Sequence, residues 1–416
     1  MKKLLWRGTS LLSVVALAVA ACTPAATPAP AATEAPVATE APAETGGLQI
    51  PEIVEGKFNV AMVLIGPHDD GGWSQAHYEG LQYVEQNVEN THIAYIELVP
   101  EGAQAEQVYR SLARKGFDLI FGTSFGYMDP MATVAEEFPD QTFVHISGYK
   151  TNNANFGNLF GAMESMKYVA GMLAGSRAKT DGQTKMGYLA TFPIPEELRL
   201  GNAFALGMRQ TCPDCTLDIR WINTWHDPVV EKEAASSLFD AGAYIVLTGA
   251  DTPATADVAT ERGDKWGINY DWSGNCVKER CLTTLYWNWG PEYARVAKAV
   301  QAGTYVAGSE YFDADSGSLG IYGLMEGQTP TAGMEGLPAE DMALIKDTLA
   351  KMLAGEFTRF DVFAGPIMDN QGNEVLPAGA KIEQIDIDCF AGGDVPCTVG
   401  MYWWAEGITA ELPPLQ

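Results

Sequence analysis

The sequence is short of positive charge and of histidine, and both shortages narrow what it can do. It carries 26 Lys and Arg against 53 Asp and Glu, a formal charge of -27. Such a surface repels phosphate backbones, which excludes nucleic-acid polymers as partners while leaving a neutral base or nucleoside open. The five histidines end at His226. There is no H-E-x-x-H, no G-x-x-x-x-G-K-[ST], no G-x-G-x-x-G and no calcium loop of the D-x-[DN]-x-[DN]-G type, so neither a metal nor a cofactor is expected. Paired catalytic carboxylates remain open among so many acids, but nothing singles out a pair. Long apolar runs are also missing: nothing approaches the roughly 20 residues of a membrane helix.

What is present begins with a short export signal. Lys2, Lys3 and Arg7 precede an apolar stretch from Leu11 to Ala21, too short to span a bilayer stably and of the kind removed on export. Val19-Ala20-Ala21-Cys22 resembles a bacterial lipobox, which makes Cys22 the expected lipidation site; an ordinary signal with an incidental cysteine is the alternative. Residues 22–56 read as a tether, because Ala, Pro, Thr and Glu in repeats such as Thr33-Glu34-Ala35-Pro36 bury too little to offset ordering entropy.

Six further cysteines fall in three close pairs, Cys212/Cys215, Cys276/Cys281 and Cys389/Cys397. Outside the cell such spacing suggests three local disulfides. Cys212-Pro213-Asp214-Cys215 could be a redox motif or half a zinc site, but it sits between a helix end and a strand start, whereas redox motifs open a helix. A structural staple fits better.

The remaining chain, roughly 360 residues, suffices for two domains of ordinary size. Apolar runs at 58–65, 93–98, 117–121 and 142–146 alternate with helical patterns at 75–87, 103–115 and 130–138. The alternation resumes with strands at 185–190, 217–222, 244–247 and 266–268 and helices at 196–210, 229–241 and 253–262. Repeated β–α units imply parallel sheets with right-handed crossovers. The expected fold class is therefore α/β, two lobes facing a hinged cleft: residues 57–165 with about 287–325 in one lobe, 166–286 with about 326–416 in the other.

Ligands of such sheets bind at the carboxyl ends of strands. The first strand-end loop, 66–74, carries Asp70, Trp73 and Ser74; the second, 122–129, carries Ser124, Phe125, Tyr127 and Asp129; the third, 191–195, carries Phe192. The fourth and fifth offer Asp251 with Thr252 and Asp271 with Trp272. Rings with a few carboxylates suit a planar heterocycle: the rings stack, and the carboxylates accept hydrogen bonds from amino or hydroxyl groups. Each has a structural alternative, Trp73 as packing under its loop and Asp70 or Asp129 as helix caps. Gly122-Thr123-Ser124-Phe125-Gly126 matches the G-x-S-x-G nucleophile elbow between a strand and a helix. That hydrolase order needs a histidine late in the chain, and none follows His226.

At these loops the sequence resembles the basic membrane protein family of importer-associated lipoproteins, from about Lys57 to about Gly365. The strings that carry the likeness are Asp70-Gly71-Gly72-Trp73, Thr123-Ser124-Phe125-Gly126-Tyr127-Met128, Phe192-Pro193-Ile194-Pro195, Trp221-Ile222-Asn223-Thr224-Trp225 and Asn288-Trp289-Gly290-Pro291. The last four look most like the purine- or adenine-binding branch. The resemblance implies a two-lobed periplasmic-binding-protein fold of type I kind and no catalysis. It implies a base held between rings, with Trp73 and Phe192 the first candidates, and places Asp271 where nucleoside-binding members hold ribose. Asp251, Asp271 and Asn288 would read the ligand's edge, with Asp70, Ser124, Phe125, Tyr127, Trp225 and Trp289 as further contacts. Asn288-Trp289 stands where members often have a lysine, which favours a free base over a nucleoside. The implied partners are an ABC permease and its ATPase, met by a monomer anchored to the outer membrane surface through lipid alone. A ligand-sensing lipoprotein signalling to a membrane receptor is the runner-up, and a nucleosidase or esterase in the same cleft the lesser rival. Trp403 and Trp404, in the tail beyond the matched region, read as packing.

Overall fold

In the computed structural model, which describes residues 49–389 and 397–414, each apolar run picked out above forms a strand, several of them buried along their whole length, and further strands form at Phe156–Gly161, Cys281–Trp287 and Ser309–Phe312, where none was expected. The first block runs β1 (Phe58–Leu64), α1 (Trp73–Asn87), β2 (Thr91–Ile96), α2 (Ala103–Lys115), β3 (Leu119–Thr123), α3 (Met128–Glu137), β4 (Thr142–Ile146) and β5 (Phe156–Gly161). The second runs α4 (Met163–Thr180), β6 (Lys185–Ala190), α5 (Pro195–Thr211), β7 (Thr216–Trp221), α6 (Pro228–Asp240), β8 (Ile245–Thr248), α7 (Ala254–Arg262), β9 (Trp266–Asn269) and β10 (Cys281–Trp287). The chain then returns through α8 (Gly290–Gln301) and β11 (Ser309–Phe312), and crosses again to β12 (Leu319–Ile321) and α9 (Ala339–Leu353).

Two six-stranded sheets result. The first has the order β2-β1-β3-β4-β5-β11 with every pairing parallel. The second has the order β7-β6-β8-β9-β10-β12, parallel except for the β10–β12 pair. Helices on both faces bury parallel sheets, which is why β1 reads Phe-Asn-Val-Ala-Met-Val-Leu without alternation and is buried throughout. The architecture is α/β and two-lobed, and the chain passes between the lobes three times, after β5, after β10 and after β11.

Two boundaries differ from expectation. Leu319–Ile321, expected in the first lobe, pairs antiparallel with β10 of the second sheet, in register Leu285 to Ile321 and Trp287 to Leu319. Its buried Leu319 and Ile321 cover an edge of that sheet. The stretch 50–56, expected as tether, is tied to the first lobe: Ile50 packs on the α2 and α3 side, and Asn59 exchanges hydrogen bonds with the backbone of Val54. Residues 1–21, Cys22 and the rest of the tether to 48 lie outside the described residues.

Helix α4 escaped the periodicity reading because it has no polar face; every residue from Met163 to Ala178 is buried. It lies backbone-close against α5. A Cβ on Gly171 would sit 2.1 Å from the carbonyl oxygen of Phe204, and one on Gly207 1.9 Å from that of Tyr168. The tail also belongs to the second lobe. Ile408 bridges Leu217 of β7, Asn202 bonds the backbone of Trp403 and Ala405, and Trp404 is fully buried in a stack against Trp221.

Candidate functional site: an interlobe cleft

The strand-end loops of both sheets face each other across a partly open pocket. From the first lobe it is lined by Ile65, Trp73, Ser124, Phe125 and Ser147, and from the second by Glu196, Glu197, Trp225, Gly249, Asp251, Tyr270 and Asp271. The lobes touch at the rim: a Cβ on Gly72 would lie 1.8 Å from the backbone oxygen of Asp251. The Asn275 side chain donates to the carbonyl of Gly71 at 2.9 Å, and Trp272 Nε1 donates to Glu79 at 2.8 Å. This is a closed arrangement.

On the first lobe the loop after β1 is held by Asp70, whose carboxylate accepts from the main-chain N–H of Gly72, Ser74 and Gln75 at 2.8, 2.9 and 3.0 Å. With its oxygens so occupied, Asp70 caps α1 instead of lining the cavity. The cap sets Trp73 at the first helical position, half-buried, with Nε1 donating to Thr123 O at 2.7 Å. Behind it runs a column of rings. Trp287 stacks on Trp289 at 4.6 Å, Trp289 on His77 at 4.7 Å, and Trp73 meets both tryptophans edge-on at 5.9 Å. Burial pushes His77 well below its ordinary value, so this column carries no charge.

Ser124 donates its hydroxyl to Glu101 at 2.6 Å, while the His145 ring bonds the Ser124 backbone carbonyl at 2.7 Å. Burial holds His145 down at about 4, so the nucleophile-elbow spacing does not bring a histidine to this hydroxyl. Tyr127 is fully buried with its hydroxyl on the Val99 carbonyl, a support beneath the loop.

The second lobe supplies carboxylates. Asp271 is buried in a left-handed conformation (φ 72°), and its Oδ1 accepts from Trp287 Nε1 at 2.8 Å. Asp251 is 3% exposed, and its Oδ2 has no hydrogen-bond partner. Burial, reinforced by each other's charge or by Asp70, raises both well above the ordinary carboxylate range. Glu197 accepts from Tyr188 at 2.6 Å and is raised by burial, while half-buried Glu196 is pushed up to about 8, again mainly by burial. Asp70, His226 and Asp251 each bring one donor atom within 4.8 Å of the others. The three N–H bonds on Asp70 and the positive end of α1 beside it disfavour a cation there.

Of the sequence candidates, Trp73, Ser124, Phe125, Trp225, Asp251 and Asp271 thus line one cavity. Four do not. Phe192 stands behind Trp225, ring centres 5.0 Å apart. Asn288 is exposed at a lobe crossing, where its side chain donates to Gly317 O at 3.2 Å. Trp289 is 1% exposed inside the aromatic column, and Tyr127 is a buried support. Missed were Ile65, Ser147, Glu196, Glu197, Gly249 and Tyr270. The Glu pair directly follows the third loop but reads as the acidic first turn that favours any helix, and Tyr270 stands next to Asp271. The three cysteine pairs come together with Cα–Cα distances of 5.3, 5.5 and 6.1 Å.

A hinged cleft between two parallel-sheet lobes, lined by rings from both and by carboxylates from the second, defines a solute-binding protein. Residues 57–331 match the family of PnrA-like ABC transporter substrate-binding proteins, and the chain belongs to that family, one of binding proteins and not of enzymes. It is 33% identical over 363 residues to a purine-binding protein of Brucella abortus, covering 86% of this chain and 95% of that one. It is also 33% identical over 323 residues to a putative ABC transporter glucose-binding protein of Haloferax volcanii, covering 76% and 77%. Among solved structures, an ABC solute-binding protein from Aeropyrum pernix superposes with a TM-score of 0.62 at 17% identity, over 72% of this chain and 92% of that one. This last likeness speaks for the fold alone. Among the described residues no helix is long and apolar enough to cross a membrane.

Proposed function

We propose that this chain is the lipid-anchored capture subunit of an ABC importer on the outer membrane surface, and that its ligand is a neutral purine base such as adenine. The observation that carries the reading is Asp251 Oδ2, a buried acceptor without a partner, in a cavity that also holds the carboxylate of Asp271 and the rings of Trp73, Phe125 and Trp225. A buried carboxylate with a free lone pair is unfavourable until a donor reaches it, and a planar base brings donors at its edge and faces for the rings. The purine-binding relative supports the base. The glucose-named relative is a reason to test sugars beside it, since hydroxyls also donate to carboxylates.

Capture then needs no chemistry. Ligand enters between open lobes, its donors replace the proton or water on Asp251 and Asp271, and closure brings Gly72 against Asp251 and Asn275 against Gly71. The closed face is what a permease would recognise, on a monomer held by lipid at Cys22, with the three cysteine pairs as disulfide staples. The unit Leu48–Gln416 is compact by itself and is the form to test. A thermal-shift screen against bases, nucleosides, sugars and amino acids should single out a purine base, with roughly 2.7 kcal/mol of stabilisation at 100 times the dissociation constant. A shift with glucose and none with any purine overturns the ligand assignment.

A further inference from the structure

Lys167 lies on α4, away from the strand-end loops, and has no exposed surface. Its Nζ donates to Thr248 O at 2.8 Å and stands 3.8 Å from the centre of the Tyr270 ring and 5.5 Å from that of Tyr188. Each ring leads to a carboxylate of the cleft. Tyr270 lines the cavity and precedes Asp271, and Tyr188 donates its hydroxyl to Glu197 at 2.6 Å. A buried ammonium has three protons to donate, and only one is taken by a backbone carbonyl, so its charge must be balanced by these neighbours.

We infer that Lys167 is a positioning residue for ligand recognition: from behind the Tyr270 ring its charge favours the ionised form of Asp271 and Glu197, so that the wall yields its protons and accepts hydrogen bonds when a neutral ligand arrives. The inference rests on the ligand reading above and sharpens it. The wall's cation is spent behind a ring, so ligands bearing phosphate or carboxylate meet carboxylates alone and are rejected. The groups that face Lys167 are Glu196 and Glu197 of α5, Asp271 after β9, and the rings of Tyr188 and Tyr270. Burial lowers Lys167 to about 8 and raises Asp271 and Glu197, and the attraction between the ammonium and the carboxylates opposes both shifts.

The test uses Lys167→Met, of similar length without the charge, with Lys167→Gln in reserve should the Met variant not fold, and Lys167→Arg as the charge-keeping control. In unliganded protein the Asp271 carboxyl carbon, assigned with Asp271→Asn, is followed by NMR against pH. Its midpoint should rise by at least about one pH unit in the Met variant and stay near the native value in the Arg variant. Adenine affinity of the Met variant should fall about tenfold at pH 7, the equivalent of one such unit, and the deficit should shrink toward pH 9, where the carboxyls ionise unaided. An unchanged Asp271 midpoint, with any loss of affinity uniform across pH, overturns the inference. If native protein binds no adenine at any pH, the ligand reading falls, and the Asp271 midpoint still decides the role of Lys167.

Discussion

The two walls of the cleft are made from the same local unit, a parallel strand ending in a loop that opens a helix, yet they present opposite chemistry. On the first lobe Asp70 accepts three main-chain N–H bonds and Glu101 accepts from Ser124 and Gly126, and what faces the cavity is mainly apolar, Ile65, Trp73 and Phe125. On the second lobe Asp251 keeps a lone pair free, Asp271 gives only one oxygen to Trp287, and Glu196 and Glu197 add to the acidity. A polar side chain satisfied by its own loop builds shape, whereas one left short of partners at the same position is available to a ligand. The first wall is a platform for stacking, and the second is a rack of acceptors. Neither encloses a ligand until the lobes meet.

The largest effect should come from keeping the walls apart. Gly72 (φ -149°, ψ -122°) lies outside the extended region open to residues with a Cβ, and a Cβ there would strike the backbone of Asp251. Gly72→Ala should therefore hold the lobes apart and weaken binding. Affinity should drop by about 100-fold or more, as the closed fraction falls to about 1%. Equal affinity in calorimetry would show that binding does not need this closure.

Next comes the acceptor wall. Asp251→Asn turns one acceptor oxygen into a donor beside the ligand's own donors and should cost about 2–3 kcal/mol of binding, the range for a hydrogen bond to a charged group. Trp73→Ala should cost about 1–3 kcal/mol by removing a stacking face. A neutral Asp251→Asn would transfer the recognition role to the platform.

How far these residues could be read from sequence follows from the same contrast. Trp73 and Phe125 were legible because rings at strand ends have few other reasons to be there, Asp251 and Asp271 because their loops are short and follow apolar strands, and Trp225 only through the family resemblance. Glu196 and Glu197 were not, since acids in a first helical turn are favoured anyway. Lys167 was hidden more deeply, on a helix buried all round, whose sequence shows neither a polar face nor a boundary signal. Asn288 and Trp289 were placed by resemblance to a family position; the chain there is occupied with crossing between lobes and with packing the ring column. The fold was legible wherever apolar runs were bounded by loops, and illegible where Leu319–Ile321 crossed back to cover a sheet edge.

The smallest effect is on unliganded stability. Glu196 at about 8 and Glu231 at about 7 hold protons that the unfolded chain has released above its ordinary value of 4.5. Between pH 6.5 and 8 the native state thus binds more protons than the unfolded state, and stability should fall as pH rises. Below that window His145 and His77, held low by burial, oppose the trend, as does Lys167, lowered to about 8, at the window's upper end. Urea melts at pH 6.5 and 8 give the sign; greater stability at pH 8 would contradict a protonated acceptor wall in the empty cleft.

The central claim is that a buried carboxylate wall reads the donors of a planar ligand held by the ring platform. The most direct measurement is calorimetric titration of Leu48–Gln416 with adenine, with unsubstituted purine, which lacks the exocyclic amino group, and with D-glucose. The account predicts that adenine binds about 10–100-fold more tightly than purine, the worth of one hydrogen bond to a charged acceptor, and that glucose does not compete. Equal binding of adenine and purine, or binding of glucose in place of both, would contradict it.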